Sequence, residues 1–150
     1  MKTLKQALLN KCRHHILERK NKLLVAISEI SEALQSETKS SVGDKHETSR
    51  ARLQSEEEKL HMQLNETNIT LNEFDKINTT SSFTRVSLGA LVQTNQGYFF
   101  IAVAIGKMEV DNINVFVISP ISPFALAMKS LRITDCFLYN GKRYEIVRVS

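Results

Sequence analysis

Residues 16–34 run ILERKNKLLVAISEISEAL, and residues 53–74 run LQSEEEKLHMQLNETNITLNEF. In the second stretch Leu53, Glu57, Leu60, Leu64, Thr67, Leu71 and Phe74 are spaced 4-3-4-3-4-3, the period of a coiled-coil seam. In the first, Ile16, Lys20, Leu23, Ile27, Ile30 and Leu34 obey the same rule. Set antiparallel, 34 meets 53, 30 meets 57, 27 meets 60, 23 meets 64, 20 meets 67 and 16 meets 71, all at one constant register. A fold-back about position 43.5 therefore places every seam residue opposite another. The layers Leu34/Leu53, Ile27/Leu60, Leu23/Leu64 and Ile16/Leu71 are wholly apolar. Each buried side chain there is worth roughly 1.5–3 kcal/mol, enough to join two helices that would be marginal alone. A continuous helix that dimerises would use the same residues, but the constant register favours a hairpin within one chain, and a monomer is expected. From Leu4 to Leu34 such an arm is roughly 45 Å long.

Outward from the arm the composition changes near residue 78. Residues 1–78 hold one glycine, no proline and one aromatic, Phe74; the remaining 72 residues hold four glycines, both prolines and nine aromatics. Helices exclude Gly and Pro while sheets collect aromatics and turn residues, so the fold class is α+β. The domains expected are a helical arm over 1–78 and a sheet domain over 79–150, with the polar Asn78–Ser82 stretch as linker. Strands are expected at Val86–Val92, Tyr98–Ile105, Val115–Ser119, Cys136–Tyr139 and Arg143–Val149. Asn95-Gln96-Gly97 and Asn140-Gly141 read as hairpin turns. Ser122-Pro123 reads as the N-cap and first residue of a short helix through Met128. The expected result is a small antiparallel sheet with one helix.

The 150-residue chain carries a net charge of +4, with a sequence pI of about 9.1. Residues 1–25 carry seven Lys/Arg against one Glu, whereas residues 26–78 carry six against eleven acids. A basic root and an acidic outer arm result. The basic root supports a nucleic-acid-binding reading, which a salt-dependent shift with free RNA would test. No apolar run reaches the ~18–20 residues of a membrane span, and no secretory signal is evident. A cytoplasmic location is therefore expected, and the Asn-x-Thr sequons at Asn65, Asn68 and Asn78 read as chance. Cys12 and Cys136 form neither a disulfide framework nor a zinc site. P-loop, dinucleotide-binding and nucleophile–base motifs are absent from the sequence, so an autonomous enzyme is not expected.

The fold-back segment, 38–48, is Thr-Lys-Ser-Ser-Val-Gly-Asp-Lys-His-Glu-Thr. Asp44 and Glu47 stand at capping-box spacing, which opens the second helix. The same spacing sets two carboxylates together at the arm's end, a pair that can help hold Mg²⁺ alongside water and phosphate oxygens. His46 reads as a solvent-exposed tip residue.

Taken together, Gly43-Asp44-Lys45-His46-Glu47, the Ile118-Ser119-Pro120-Ile121-Ser122-Pro123-Phe124-Ala125 segment and the closing Gly141-Lys142-Arg143-Tyr144-Glu145-Ile146-Val147 strand resemble the bacterial Gre transcript-cleavage and elongation factors. The resemblance spans nearly the whole chain and rests on order and spacing jointly. It implies a coiled-coil arm followed by an FKBP-like domain that docks on RNA polymerase. The arm would enter the secondary channel, and Asp44 and Glu47 would act in trans on the polymerase's Mg²⁺ and the nascent RNA 3′ end. The protein would need no cofactor of its own. The tip departs from the family pattern: Thr48 replaces Asn, Arg50 replaces a second Glu, and Ala51 replaces Tyr. Arg50 reverses charge beside the carboxylates, so a channel-binding regulator that does not stimulate cleavage is the alternative. A different class, an FKBP-like prolyl isomerase, requires an aromatic-walled pocket; the chain has no Trp, and its aromatics are expected mostly in the strand core.

Overall fold

The computed structural model describes residues 2–39, 43–78 and 80–150, with side chains for all of these except 2, 38, 39 and 43–46. Two long helices come first, α1 (Lys2–Lys39) and α2 (Gly43–Asp75). Six strands follow, β1 (Leu91–Thr94), β2 (Gly97–Ile101), β3 (Gly106–Val110), β4 (Ile113–Ile118), β5 (Cys136–Tyr139) and β6 (Lys142–Val149), with a short helix α3 (Pro123–Met128) between β4 and β5. The chain divides into two compact units. One comprises residues 14–72; the other comprises residues 1–13 together with 73–150.

Residues 14–72 form the helical hairpin. On α1, Ile16 and Leu23 are buried and Lys20, Ile27, Ile30 and Leu34 half-buried; on α2, Thr67 is buried and Leu53, Glu57, Leu60, Leu64 and Leu71 half-buried. These are the heptad positions read from the sequence. Burial is deepest at Ile16, Leu23 and Thr67 and shallower toward Leu34 and Leu53. Thr67 satisfies its hydroxyl within its own helix by donating to the Gln63 carbonyl at 2.8 Å. Glu57 keeps contact with water and stands 3.8 Å from His61, one turn on.

In the other unit the six strands lie in the order β3-β4-β2-β1-β6-β5. Every pairing is antiparallel except β2 with β4, which run parallel with Phe99 opposite Phe116. The sheet is therefore mixed rather than purely antiparallel. The reason is β3, absent from the sequence reading: the chain leaves β2, crosses to the sheet edge as β3 and returns beside β2 as β4. Asp111 and Asn112, both at positive φ, make the two-residue turn between β3 and β4. The expected strand at Val86–Val92 begins only at Leu91, because Gly89 turns the chain at φ +93°. Before that kink, Val86 exchanges hydrogen bonds with Ser130 and Leu131 instead of with a strand.

One face of the sheet is built on Val92, Phe99, Ile101 and Ile146, joined by Val86, Ala125 and Met128. On the α1 residues of this unit Leu4, Leu8, Leu9 and Cys12 are buried, and Cys12 Sγ stands 3.5 Å from Met108 Sδ of β3. Helix α3 opens as read: Ser122 Oγ accepts from the Ala125 N–H at 3.3 Å, with Pro123 as first helical residue.

Candidate functional site

The carboxylates of the tip are set by where α2 starts. The helix begins at Gly43, so Asp44 already lies in its first turn rather than before it as an N-cap. Asp44 and Glu47 are three residues apart in one helix, the spacing at which residues of a helix are neighbours on its surface. Acidic groups in a first helical turn also meet the positive end of the helix dipole. The Glu47 side chain is exposed. The side chains of Asp44 and His46, and residues 40–42, lie outside the described residues.

A Mg²⁺ shell typically takes one or two carboxylates and is otherwise filled by water and phosphate oxygens. Among the described residues no three His, Cys, Asp or Glu side chains gather as metal ligands.

At the N-terminal end of α1, much of the positive charge is engaged. Arg13 pairs with Asp75, the Lys11 ammonium donates to the Glu109 carbonyl, and Lys22 stands 3.8 Å from Glu18. Lys5 is 7% exposed and donates to the Ser150 carbonyl at 3.1 Å. Of the described cations of residues 1–25, Arg13 and Lys22 stand beside carboxylates, whereas Lys11 meets a neutral carbonyl and keeps its charge.

The aromatic residues gather more than the sequence suggested. Phe99 and Phe124 have ring centroids 4.5 Å apart, and Phe124 meets both Tyr139 and Tyr144 edge-on at 5.1 Å. Phe137 stacks on Tyr144 at 5.0 Å, and Phe116 on Phe99 at 5.7 Å. Phe99, Phe116, Phe124, Tyr139 and Tyr144 wall a groove of about 350 Å³, with Lys142, Asn140 and Gln96 along its polar border. Phe116 remains 42% exposed. Each aromatic was visible as a strand or helix residue, but their meeting depends on the parallel β2–β4 pairing and on α3. The detectable signal was period-2 placement: Phe137 and Tyr139 share one strand face, as do Lys142 and Tyr144.

No family model matches the chain, and no curated protein matches its sequence. Solved structures do. The GreA factor homolog 1 (Gfh1) of Thermus thermophilus aligns over 92% of this chain and 94% of its own, at 15% identity and a TM-score of 0.38. A structure described as the transcription factor Gfh1 aligns over 91% and 92%, at 15% identity and a TM-score of 0.39. Thermus aquaticus Gfh1 aligns over 91% and 92%, at 14% identity and a TM-score of 0.31. At such scores the functional reading rests on this chain's own residues.

Proposed function

We propose that this chain is an RNA polymerase-binding elongation factor whose hairpin enters the polymerase's secondary channel and presents Asp44 and Glu47 to the catalytic Mg²⁺. The observation that carries the reading is the pair of long helices, with two acidic residues in the first turn of α2, combined with the motif order that resembles the Gre factors. A carboxylate pair supplied in trans would help recruit and orient a metal and an attacking water, as two-metal phosphoryl chemistry requires. The chain acts as a partner to the polymerase's own chemistry and is not itself an enzyme. The test is transcript cleavage by stalled elongation complexes. Asp44→Ala/Glu47→Ala should keep polymerase binding and lose at least tenfold in cleavage stimulation. A double variant that binds and cleaves as the parent does would sink the metal role.

Arg50 favours a second version of the reading, occupation of the channel without cleavage. If the parent protein stimulates no cleavage, Arg50→Glu distinguishes a tip limited by charge, which gains activity, from a purely occluding one, which does not. The aromatic groove also supports the prolyl isomerase alternative more than the sequence did, and a peptidyl-prolyl assay on the full chain tests it directly.

A further inference from the structure

Lys107, Phe116 and Phe99 stand in one row across the sheet. Lys107 of β3 is opposite Phe116 of β4, and Phe116 is opposite Phe99 of β2. Residues directly opposite in paired strands point to the same face. Phe116 stacks on Phe99 with the rings 23° from parallel and stays 42% exposed, so part of its ring is open to a ligand. It borders the groove of about 350 Å³ that Phe124, Tyr139 and Tyr144 also line, a volume at the lower end of the ~300–1,000 Å³ of small-molecule sites.

The polar border of the groove is not engaged elsewhere. The Gln96 and Asn140 side-chain amides, the Tyr139 and Tyr144 hydroxyls and the Lys142 ammonium make no hydrogen bond or ion pair with another described residue. The border also has one sign of charge: Lys142 lines the groove, and no carboxylate does. Lys107 is exposed beside Phe116. Glu109, two residues along β3 on the same face, is opposite Asn114 and one step removed from this row. A cationic ligand would meet repulsion here. A prolyl ligand would use the rings and leave the amides and the lysines idle. A nucleic acid strand uses all three, because each base has a ring face that stacks and a polar edge, and each phosphate a charge to neutralise.

We infer that this face of the sheet binds single-stranded RNA, with one base stacked on Phe116 in the groove, Gln96 and Asn140 at the base edge, and Lys107 and Lys142 on flanking phosphates. The choice of RNA over DNA rests on the elongation-factor reading; the site itself does not. Binding is measured without polymerase, so its failure and a failure of the tip reading are separate results.

The experiment is fluorescence anisotropy of a short fluorescein-labelled oligouridylate titrated with the full chain over a salt series. Binding should be saturable and weaken with salt, with a log–log slope of about 0.7 for each phosphate neutralised. Lys142→Met should lower that slope by about 0.7. Phe116→Ala should weaken binding roughly tenfold or more and leave the slope unchanged, since stacking carries no charge. Phe116→Leu keeps apolar bulk, and so keeps the test open if the alanine variant misfolds; it should lose binding likewise. Leu138→Ala should bind as the parent does, because Leu138 is 72% exposed but alternates with Phe137 and Tyr139 and so points to the other face. Upfield shifts of the uracil H5 and H6 resonances, present with the parent and lost with Phe116→Leu, are the second readout. The deoxyuridylate strand should bind no better than the ribose strand. Absence of binding would overturn the proposal. So would binding that Phe116→Leu leaves unchanged, equal binding of duplex RNA, or tighter binding of the deoxy strand. A groove that takes a proline-containing peptide and no RNA would overturn it in favour of the prolyl reading.

Discussion

Leu23 is the position at which the hairpin can be tested most sharply. It is 8% exposed, whereas its neighbour Leu24 is 44% exposed, although both are leucines on the same helical turn. Any difference between them therefore reports the seam and not helix propensity. Truncation of a buried Leu to Ala costs ~2–5 kcal/mol, and a seam between two helices can relax toward solvent, which places Leu23→Ala near ~2–3 kcal/mol. Leu23→Asp loses the same contacts and adds a carboxylate at a position that is 8% exposed. An unpaired polar group there adds at least ~1–3 kcal/mol, for a total of ~3–5 kcal/mol. Leu24→Asp should cost under ~1 kcal/mol. Urea unfolding followed by circular dichroism at 222 nm measures all three against the parent. A pH series adds an independent sign. A carboxyl desolvated in the seam has a raised pKa, so the folded state holds its proton longer than the unfolded chain. The Leu23→Asp deficit should therefore shrink as pH falls from 7 to 4 and grow as it rises. Equal costs for Leu23→Asp and Leu24→Asp would show that the heptad register is not the one holding the helices together.

Two more predictions concern the other unit. Cys12 is wholly buried, and burial pushes its thiol from 9.0 up to about 12. Its proton is retained in the folded state and lost by the unfolded chain above pH 9, so stability should fall by about 1.4 kcal/mol per pH unit between pH 9 and 12. Cys12→Val should lack this slope in a parent-minus-variant comparison, which also cancels the opposite contribution of Lys5, whose lowered pKa makes stability rise with pH. If the two alkaline profiles run parallel, Cys12 ionises as freely folded as unfolded. Gly89 sits at φ +93°, and a Cβ there would come within 3.0 Å of the Asn78 carbonyl oxygen and of Ile77 Cγ2. Gly89→Ala should cost at least about 2 kcal/mol in urea denaturation, from backbone strain and contact together; a loss below 0.5 kcal/mol would count against that close approach.

The hairpin was legible because its information is local and repeated. Six layers share one register in the sequence, and Leu53, Glu57, Leu60, Leu64 and Leu71 on it are all half-buried, although Ser49, Asn68 and Thr70 off it are half-buried too. The sheet was legible only where turn chemistry is explicit. Asn140-Gly141, with both residues at positive φ, gave β5 and β6 to within a residue. Asp111-Asn112 encodes the same turn between β3 and β4 through two residues that tolerate the left-handed conformation, but it carries no glycine to mark it. With that turn unread, β3 was lost, and with β3 the crossover that makes β2 and β4 parallel. A residue-level miss thus became a topological one.

The same dependence governs which sites a sequence discloses. Asp44 and Glu47 are close because they lie three residues apart in a helix, so their pairing needs no tertiary information. The aromatic groove is assembled by contacts across the sheet and α3: Phe99 with Phe116, Phe124 with Tyr139, Phe137 with Tyr144. A cavity lined by Lys5, Ser81, Ser82 and Ser150 joins segments still farther apart, since Lys5 reaches Ser150 across 145 positions of sequence. Its lining looks unremarkable in one dimension, a lysine in a helix and a serine run in a linker. Only the fold brings that lysine, 7% exposed as a residue, beside those serines and the Phe83 ring.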